Sequence, residues 1–426
     1  MTTEPRRLDG AATRPTVLFI NTRPSPVEAE QCFAAAAALR LDVVLLTDTD
    51  PPVDLAWITA TVRVDTYDLP ALVAAATEVA QHRDVRGAVC WGDRDVEGVA
   101  AIASALSLPG NTPAAAATAR NKGAMREALA IHAPDLAPAF ARVWTEHDLH
   151  GALEQVPLPA ILKPAGASTS KGIFDVTSVQ QAHRAFAELQ HFTRPEVDPI
   201  FRYYPGELVL EARITGREVS VEGICVDGVL VVAAVTAKYV REPFFLEYLQ
   251  VHPATLTPAA EAAARDAAAR AVCAAGLGTT AVHVEMLLDG EAAVLLELNA
   301  RTGGSYIATH LLAMARGYDF LANTLIACCA LGDVAPIPGA FAAAGSWHVL
   351  VERSGRLAEV RRVDDALRVP GVVRFVQDVA PGNAVAQPPA SYTASTIGSL
   401  IARGPDAAAV VSTLERAQQC LDVVLQ

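Results

Sequence analysis

The chain has no long hydrophobic run. Nothing approaches the ~18 consecutive apolar residues a membrane-crossing helix requires, and "VLVVAAVTA" (229–237) is short enough to be one buried strand. There is no C-x-x-C spacing among Cys32, Cys90, Cys225, Cys273, Cys328, Cys329 and Cys420. That pattern argues against a zinc site or disulfide framework and for reduced core residues of a cytoplasmic protein. No G-x-G-x-x-G follows the first β-rich run, which counts against a dinucleotide site. Aromatic residues are scarce (6%), but apolar residues reach 52%, as in an alanine-rich globular protein and unlike a disordered one. Positive charge is also short. A net charge of −13 argues against nucleic acid as a partner but not against a small polyanion, because local cations decide that. Residues 1–16, "MTTEPRRLDGAATRPT", lack the apolar h-region of a signal peptide and read as a tail.

At 426 residues the chain exceeds one comfortable core, so two or three domains are expected. "PTVLFI" (15–20), "DVVLLTD" (42–48) and "VRGAVCWGD" (85–93) are β-rich runs separated by helical patterns. This alternation predicts a parallel α/β domain over residues 1–115. "ARNKGAMREALAIHAP" (119–134) reads as a helix stopped by Pro134. From about 160 the pattern turns to hairpins, over 159–176, 206–240 and 281–300. A strong helix lies at 257–278, with Thr257 as N-cap and Pro258 in its first turn. After about 335 the chain is β-rich again and closes on a helix.

The stretch "LLELNARTGG" (295–304) carries the clearest chemistry. Glu297, Asn299 and Arg301 sit two apart, so on a strand all three face one way. Glu285 lies on the preceding strand. A three-residue loop, Asp289-Gly290-Glu291, would pair Glu285 with Leu295 and set Glu297 diagonally on the same face. Glu285, Glu297 and Asn299 would then offer hard oxygen ligands to Mg²⁺. In "ILKPAGASTSKGI" (161–173), Lys163 ends an apolar strand, and Ser168, Thr169 and Ser170 lead to Lys171-Gly172. Small side chains there let backbone N–H groups approach phosphate oxygens while the lysines balance charge. No Walker A pattern is present, since Ser170 precedes the lysine and Gly172 follows it. Glu211 and Glu218 flank a Thr-Gly turn and suit an adenine amino group and ribose hydroxyls. Each feature alone has a plainer reading: solvated glutamates, a flexible hairpin, or a helix lysine at Lys122.

In combination the order is distinctive. Lys122 in "RNKGAMREAL", then "LKPAGASTSKG", Glu211 and Glu218 in "LEARITGRE", Glu285, and "ELNARTGG" resemble the ATP-grasp superfamily across about residues 85–310. The resemblance implies ATP held between two α+β lobes, a carboxylate phosphorylated, and a nucleophile displacing the phosphate. The implied fold is an α/β and α+β chain in four parts: an N-terminal parallel α/β domain (1–115), a small lobe with the glycine-rich loop (116–205), a large lobe with the metal site (206–335) and a C-terminal α+β extension (336–426). By the same resemblance, Lys122 and Lys163 would contact the phosphates, and Ser168, Thr169, Ser170, Lys171 and Gly172 would form the mobile loop over them. Ser168 and Lys171 would assist catalysis there. Glu211, Ala212 and Ile214 would frame adenine, Glu218 would bind ribose, and Arg301 would stabilise an acyl phosphate.

"TAKYVREPFFLEYLQVHPATL" is similar to the corresponding segment of dipeptide-forming L-amino acid ligases. That likeness makes Glu247, His252, Gly304 and Ser305 candidate substrate contacts beside Arg301. The implied activity is ADP-forming carboxylate–amine ligation with ATP and two Mg²⁺ ions. Small-molecule substrates are expected, with no nucleic acid or membrane partner and a homodimer left open. An ATP-grasp carboxylase acting through carboxyphosphate and a non-catalytic ATP-binding regulator are the alternatives. The chain has no biotin-attachment segment, which weakens one branch of the first.

Overall fold

A computed structural model describes residues 14–392 and 394–426; the expected N-terminal tail lies, through residue 13, outside the described residues. The first β-rich runs form β1 (Thr16–Ile20), β2 (Asp42–Thr47), β3 (Ala60–Arg63) and β4 (Val85–Cys90). They pair in the order β3-β2-β1-β4, all parallel. β1 is buried along its whole length, as expected for a central parallel strand covered on both faces. Helices Pro26–Ala38 and Leu69–His82 supply crossovers, and helix Val96–Leu106 follows β4.

The single helix expected over 119–134 is two, Pro113–Arg120 and Lys122–His132. Asn121 breaks it, because its side-chain oxygen accepts from Ala124 N (2.9 Å) as an N-cap. Its amide also donates to Glu207 Oε2 (2.8 Å). The break sets Lys122 at the head of the second helix.

The small lobe is an antiparallel sheet of β5 (Phe140–Val143), β6 (Ala160–Pro164), β7 (Phe174–Val176) and β8 (Leu208–Ala212), ordered β5-β8-β6-β7. Helices Glu146–Gln155 and Val179–Phe192 bury their apolar sides against it. Residues 206–240 are therefore not continuous hairpins. β8 belongs to the small lobe, whereas β9 (Arg217–Val226) pairs with β10 (Val229–Arg241) and with β12 (Thr280–Asp289) in the large one. The segment 213–216 that separates Glu211 from Glu218 is thus the crossing between lobes.

β11 (Leu246–His252), β13 (Ala292–Asn299), β14 (Ala343–Leu350), β16 (Val372–Gln377) and β18 (Thr396–Gly404) complete one eight-stranded sheet, ordered β13-β12-β9-β10-β11-β14-β18-β16. β15 (Gly355–Arg361), β17 (Ala384–Val385) and β19 (Asp422–Leu425) form a small separate sheet. The C-terminal segment accordingly continues the large-lobe sheet, with β14 directly beside β11. Among the described residues, no helix is long and apolar enough to cross a membrane.

Candidate functional site

The β12–β13 register differs from expectation in two places, a two-residue turn at Gly290-Glu291 in place of a three-residue loop, and a bulge. Asp289 pairs with Ala292, and a shift between Glu285 and Met286 then puts Glu285 directly opposite Glu297 and His283 opposite Asn299. The extra residue lies on β13, where Leu296 has no Cα partner. The two carboxylates are thus cross-strand neighbours and not diagonal ones. β9 adds to this patch, because Glu222, Ser220 and Glu218 stand opposite His283, Glu285 and Leu287.

Together these strands wall a cavity of about 560 Å³ between the lobes. Lys122, Lys163, Ser168, Thr169, Ser170, Glu211, Ala212, Ile214, Glu218, Glu247, Glu285, Glu297, Arg301, Gly304 and Ser305 all line it, so most of the expected residues meet. Lys122 Nζ sits 3.0 Å from Glu297 Oε1 and 2.5 Å from the Ala167 carbonyl. Lys163 is ion-paired with Glu211, which also accepts from Arg126 Nε (2.7 Å). Burial alone would raise the Glu211 pKa, but Arg126 and Lys163 hold it at about 2. The carboxylate of Glu211 is therefore committed to two cations.

Four expected residues do not line the cavity: Lys171, Gly172, His252 and Asn299, the last buried against Glu297 and Asp93. Lys171 turns its ammonium to Asp198 Oδ2 (2.5 Å). Gly172, at φ +72°, is packed so that a Cβ would meet Leu189 and Pro164, and its role is to let the loop turn. His252 shares the sheet face of Lys238 but lies two residues further in than Gln250, fully buried beneath the segment 307–316. There Nδ1 contacts Thr236 Oγ1 (3.1 Å) and Nε2 accepts from Arg316 Nε (2.7 Å). Burial and then Arg316 lower its pKa to about 3, so it is a neutral structural histidine.

Four side chains were not anticipated. Lys238, fully buried, lies among three carboxylates, 2.5 Å from Glu285, 2.7 Å from Glu247 and 3.6 Å from Glu218. Burial would lower its pKa, but these three carboxylates raise it well above the ordinary value. His283 joins Glu222 (Nδ1, 2.6 Å) to Glu285 (Nε2, 2.7 Å). Against burial, Glu222 and Glu285 lift its pKa to about 9, which makes it an imidazolium at pH 7. Arg126 is one helical turn beyond Lys122 and faces the same way. Asp93, from the connection after β4, holds Arg301 in a two-point pair, and Arg301 keeps the buried carboxyl below its usual pKa range despite desolvation.

The residues after Arg301 are fixed in turn. Arg23 Nη2 donates to Thr302 Oγ1 (2.6 Å) and to the Gly303 carbonyl (2.7 Å). Gly303 N donates to Glu222 Oε2 (3.2 Å), and a Cβ at this position would lie 2.3 Å from that same oxygen. Only glycine fits the approach.

The donor set suits Mg²⁺. Asn299 can present its NH₂ to Asp93 Oδ1 (2.9 Å) and Glu297 Oε1 (3.0 Å) or, after a half-turn, its carbonyl oxygen to the same two atoms. With no ion bound, the NH₂ orientation satisfies both carboxylates; the half-turned amide would offer its oxygen, together with Glu297, to a hard cation. A second carboxylate cluster, Glu218, Glu247 and Glu285, brings its oxygens within 4.8 Å of one another around Lys238.

Two family models match this chain: an ATP-grasp domain over residues 156–310 and an L-amino acid ligase C-terminal domain over residues 347–426. An uncharacterized protein, y4rH, from Sinorhizobium fredii is 24% identical over 364 residues, covering 84% of this chain and 72% of that protein. Human carnosine synthase 1 is 29% identical over 252 residues; the match takes in 56% of this chain but only 30% of the synthase. The fold is that of the L-amino acid ligase from Bacillus licheniformis, with a TM-score of 0.84 at 20% identity over 98% of this chain and 100% of that one.

Proposed function

We infer that this chain, an ATP-grasp protein closed by an L-amino acid ligase C-terminal domain, is an ATP-dependent carboxylate–amine ligase. Its substrates are amino acids or amino-acid-like compounds, and its by-products are ADP and phosphate. One observation carries this reading: cations from both lobes, two facing carboxylates and an anchored guanidinium line a single cavity of about 560 Å³.

In this reading Lys122, Lys163 and the backbone of 168–170 bind the ATP phosphates. Ala212 and Ile214 flank adenine, and Glu218 takes the ribose. Glu285, Glu297 and Asn299 would hold Mg²⁺, as two ions, on the strand face where the two carboxylates stand opposite each other. When bound, Mg²⁺ offsets negative charge on the β- and γ-phosphates. Arg301 orients the substrate carboxylate, and one of its oxygens takes the γ-phosphoryl group as ADP departs. Arg301 then stabilises the charge of the acyl phosphate. The amine attacks the carbonyl carbon, its proton is lost, and phosphate leaves carrying one former carboxylate oxygen. The loop 166–172 excludes water from the acyl phosphate. A binding-only regulator has no use for an anchored Arg301 beside a metal-ready strand face.

The test is a pairwise amino-acid screen with phosphate release and product mass as readouts. The ligase reading expects ADP, phosphate and an amide in equal amounts, dependent on both substrates. Absence of substrate-dependent phosphate across the screen contradicts it.

A further inference from the structure

Ser305, in the cavity wall, and the buried Tyr306 after it both have left-handed backbone, with φ of 54° and 65°. Non-glycine residues seldom adopt this conformation, and two in succession must be held by their surroundings. The holding groups come from the C-terminal strands. Ser346 Oγ on β14 donates to the Ser305 carbonyl (2.7 Å), and His348 Nε2, two residues along the same strand, lies 2.9 Å from Ser305 Oγ. The other ring nitrogen of His348 meets Ser399 Oγ on β18 at 2.8 Å. Ser346 Oγ is also 3.0 Å from Gln250 Oε1, and Gln250 Nε2 donates to Glu247 Oε2 (3.3 Å). Of this chain of groups, only Ser305 and Glu247 line the cavity.

We propose that His348 is a positioning residue for substrate specificity. Through Ser305 it makes the C-terminal strands select an amino acid whose side chain forms hydrogen bonds over an aliphatic one of equal size. The inference rests on the ligase reading and deepens it. Ser305 offers a small hydroxyl with no bulk to fill the space, so what it contributes is direction. The contact with Nε2 fixes the rotamer of the hydroxyl, and its two remaining hydrogen-bonding positions are left for a group in the cavity. A site built to hydrogen-bond a substrate group rejects the isostere that lacks it far more strongly than an apolar pocket separates two hydrocarbons. His348 has no cavity wall of its own, so its effect on substrates passes through Ser305. Burial lowers its pKa against the pull of Glu247 and Glu28, with Lys238 acting in the same sense as burial, so the ring is neutral and carries one N–H.

The experiment compares kcat/KM for threonine and valine as the varied substrate, in a pairing that the wild-type enzyme turns over. Wild type should favour threonine. His348→Ala should lower the threonine-to-valine ratio roughly tenfold or more and leave KM for ATP unchanged. His348→Gln, whose amide reaches the Nε2 position, should restore most of the ratio. Ser305→Ala should lower the ratio to the same extent, and adding His348→Ala to it should change nothing further, because the two side chains act as one unit. Should His348→Ala not fold, Ser305→Ala and His348→Gln read the same quantity.

A wild type that prefers valine overturns the proposal. So does a His348→Ala variant that slows both substrates alike, or a double variant whose loss is the product of the single losses. A wild type with no substrate-dependent phosphate release overturns the ligase reading itself, and that result appears before any variant is made.

Discussion

Asp93 and Arg301 are 208 residues apart and meet through two parallel hydrogen bonds, Nε to Oδ1 at 2.9 Å and Nη2 to Oδ2 at 2.8 Å. The N-terminal α/β domain thus reaches, from behind the cavity wall, a guanidinium that lines the cavity and fixes its orientation. Arg23 does the same for the next two residues. The contribution of this domain to catalysis is positional: it holds a cation that a lone strand end would leave free.

Asp93→Asn should therefore lower kcat by roughly 10- to 100-fold, since a small misplacement of a catalytic group costs that much. KM for ATP should change little, because Arg301 is assigned to the carboxylate and not to adenine or ribose. Steady-state kinetics with ATP and the carboxylate varied separately check this. A selective rise in KM for ATP would show that Arg301 serves the nucleotide instead.

Glu297→Gln should fold as wild type and lose roughly 100-fold or more in Mg²⁺-dependent turnover, since a neutral amide is a poor ligand where an anion is needed. Its contact with Lys122 (3.0 Å) survives the change as a hydrogen bond, so the fold has no reason to fail. Circular dichroism and turnover are to be measured on one sample. A folded variant with near-wild-type rate contradicts the metal assignment.

The loop 166–172 is tied down at two points, Ser170 Oγ to the Phe245 carbonyl (2.9 Å) and Lys171 to Asp198. Thr169, Ser170 and Gly172 all have positive φ, so their backbone amides are arranged unlike those of a strand. Limited proteolysis should cut within this loop more slowly when Mg-ATP is present. Equal cleavage with and without nucleotide would count against a lid.

Glu211 makes the fold acid-sensitive. Its folded pKa is about 2 against an ordinary value of 4.5. A depressed carboxyl pKa adds stability that is present above pH 4.5 and lost as the pH falls from 4.5 toward 2. Tm measured across that window should drop steeply for wild type and less so for Glu211→Gln. At pH 7 the same variant should be less stable by roughly 3–5 kcal/mol, because Arg126 and Lys163 are left buried without their anion.

Much of this was legible in the sequence because it is local. The alternation of strands and helices gave the parallel N-terminal sheet, and the two-residue spacing of Glu297, Asn299 and Arg301 gave the shared face. What depended on one residue of register was not. The bulge at Leu296 has no signature in "AAVLLELN", and with the two-residue turn at Gly290-Glu291 it makes Glu285 face Glu297 directly. Two of the missed residues did carry a signal: His283 alternates with Glu285 on one strand, and Arg126 follows Lys122 by four on one helix. Lys238 looked like any residue of an apolar strand until three carboxylates from β9, β11 and β12 closed on it. Asp93 had no local sign at all, since its partner lies in another domain. His252 failed for the converse reason: its strand is correct, but depth along a strand is decided by what packs over it.

The central claim is that a substrate carboxylate is activated as an acyl phosphate, and oxygen tracing tests it most directly. With a productive pair of substrates and the carboxylate labelled with ¹⁸O, mass spectrometry of the released phosphate should find one labelled oxygen per amide formed, with ADP as the nucleotide product. Unlabelled phosphate during confirmed amide formation, or AMP in place of ADP, would contradict the acyl-phosphate route.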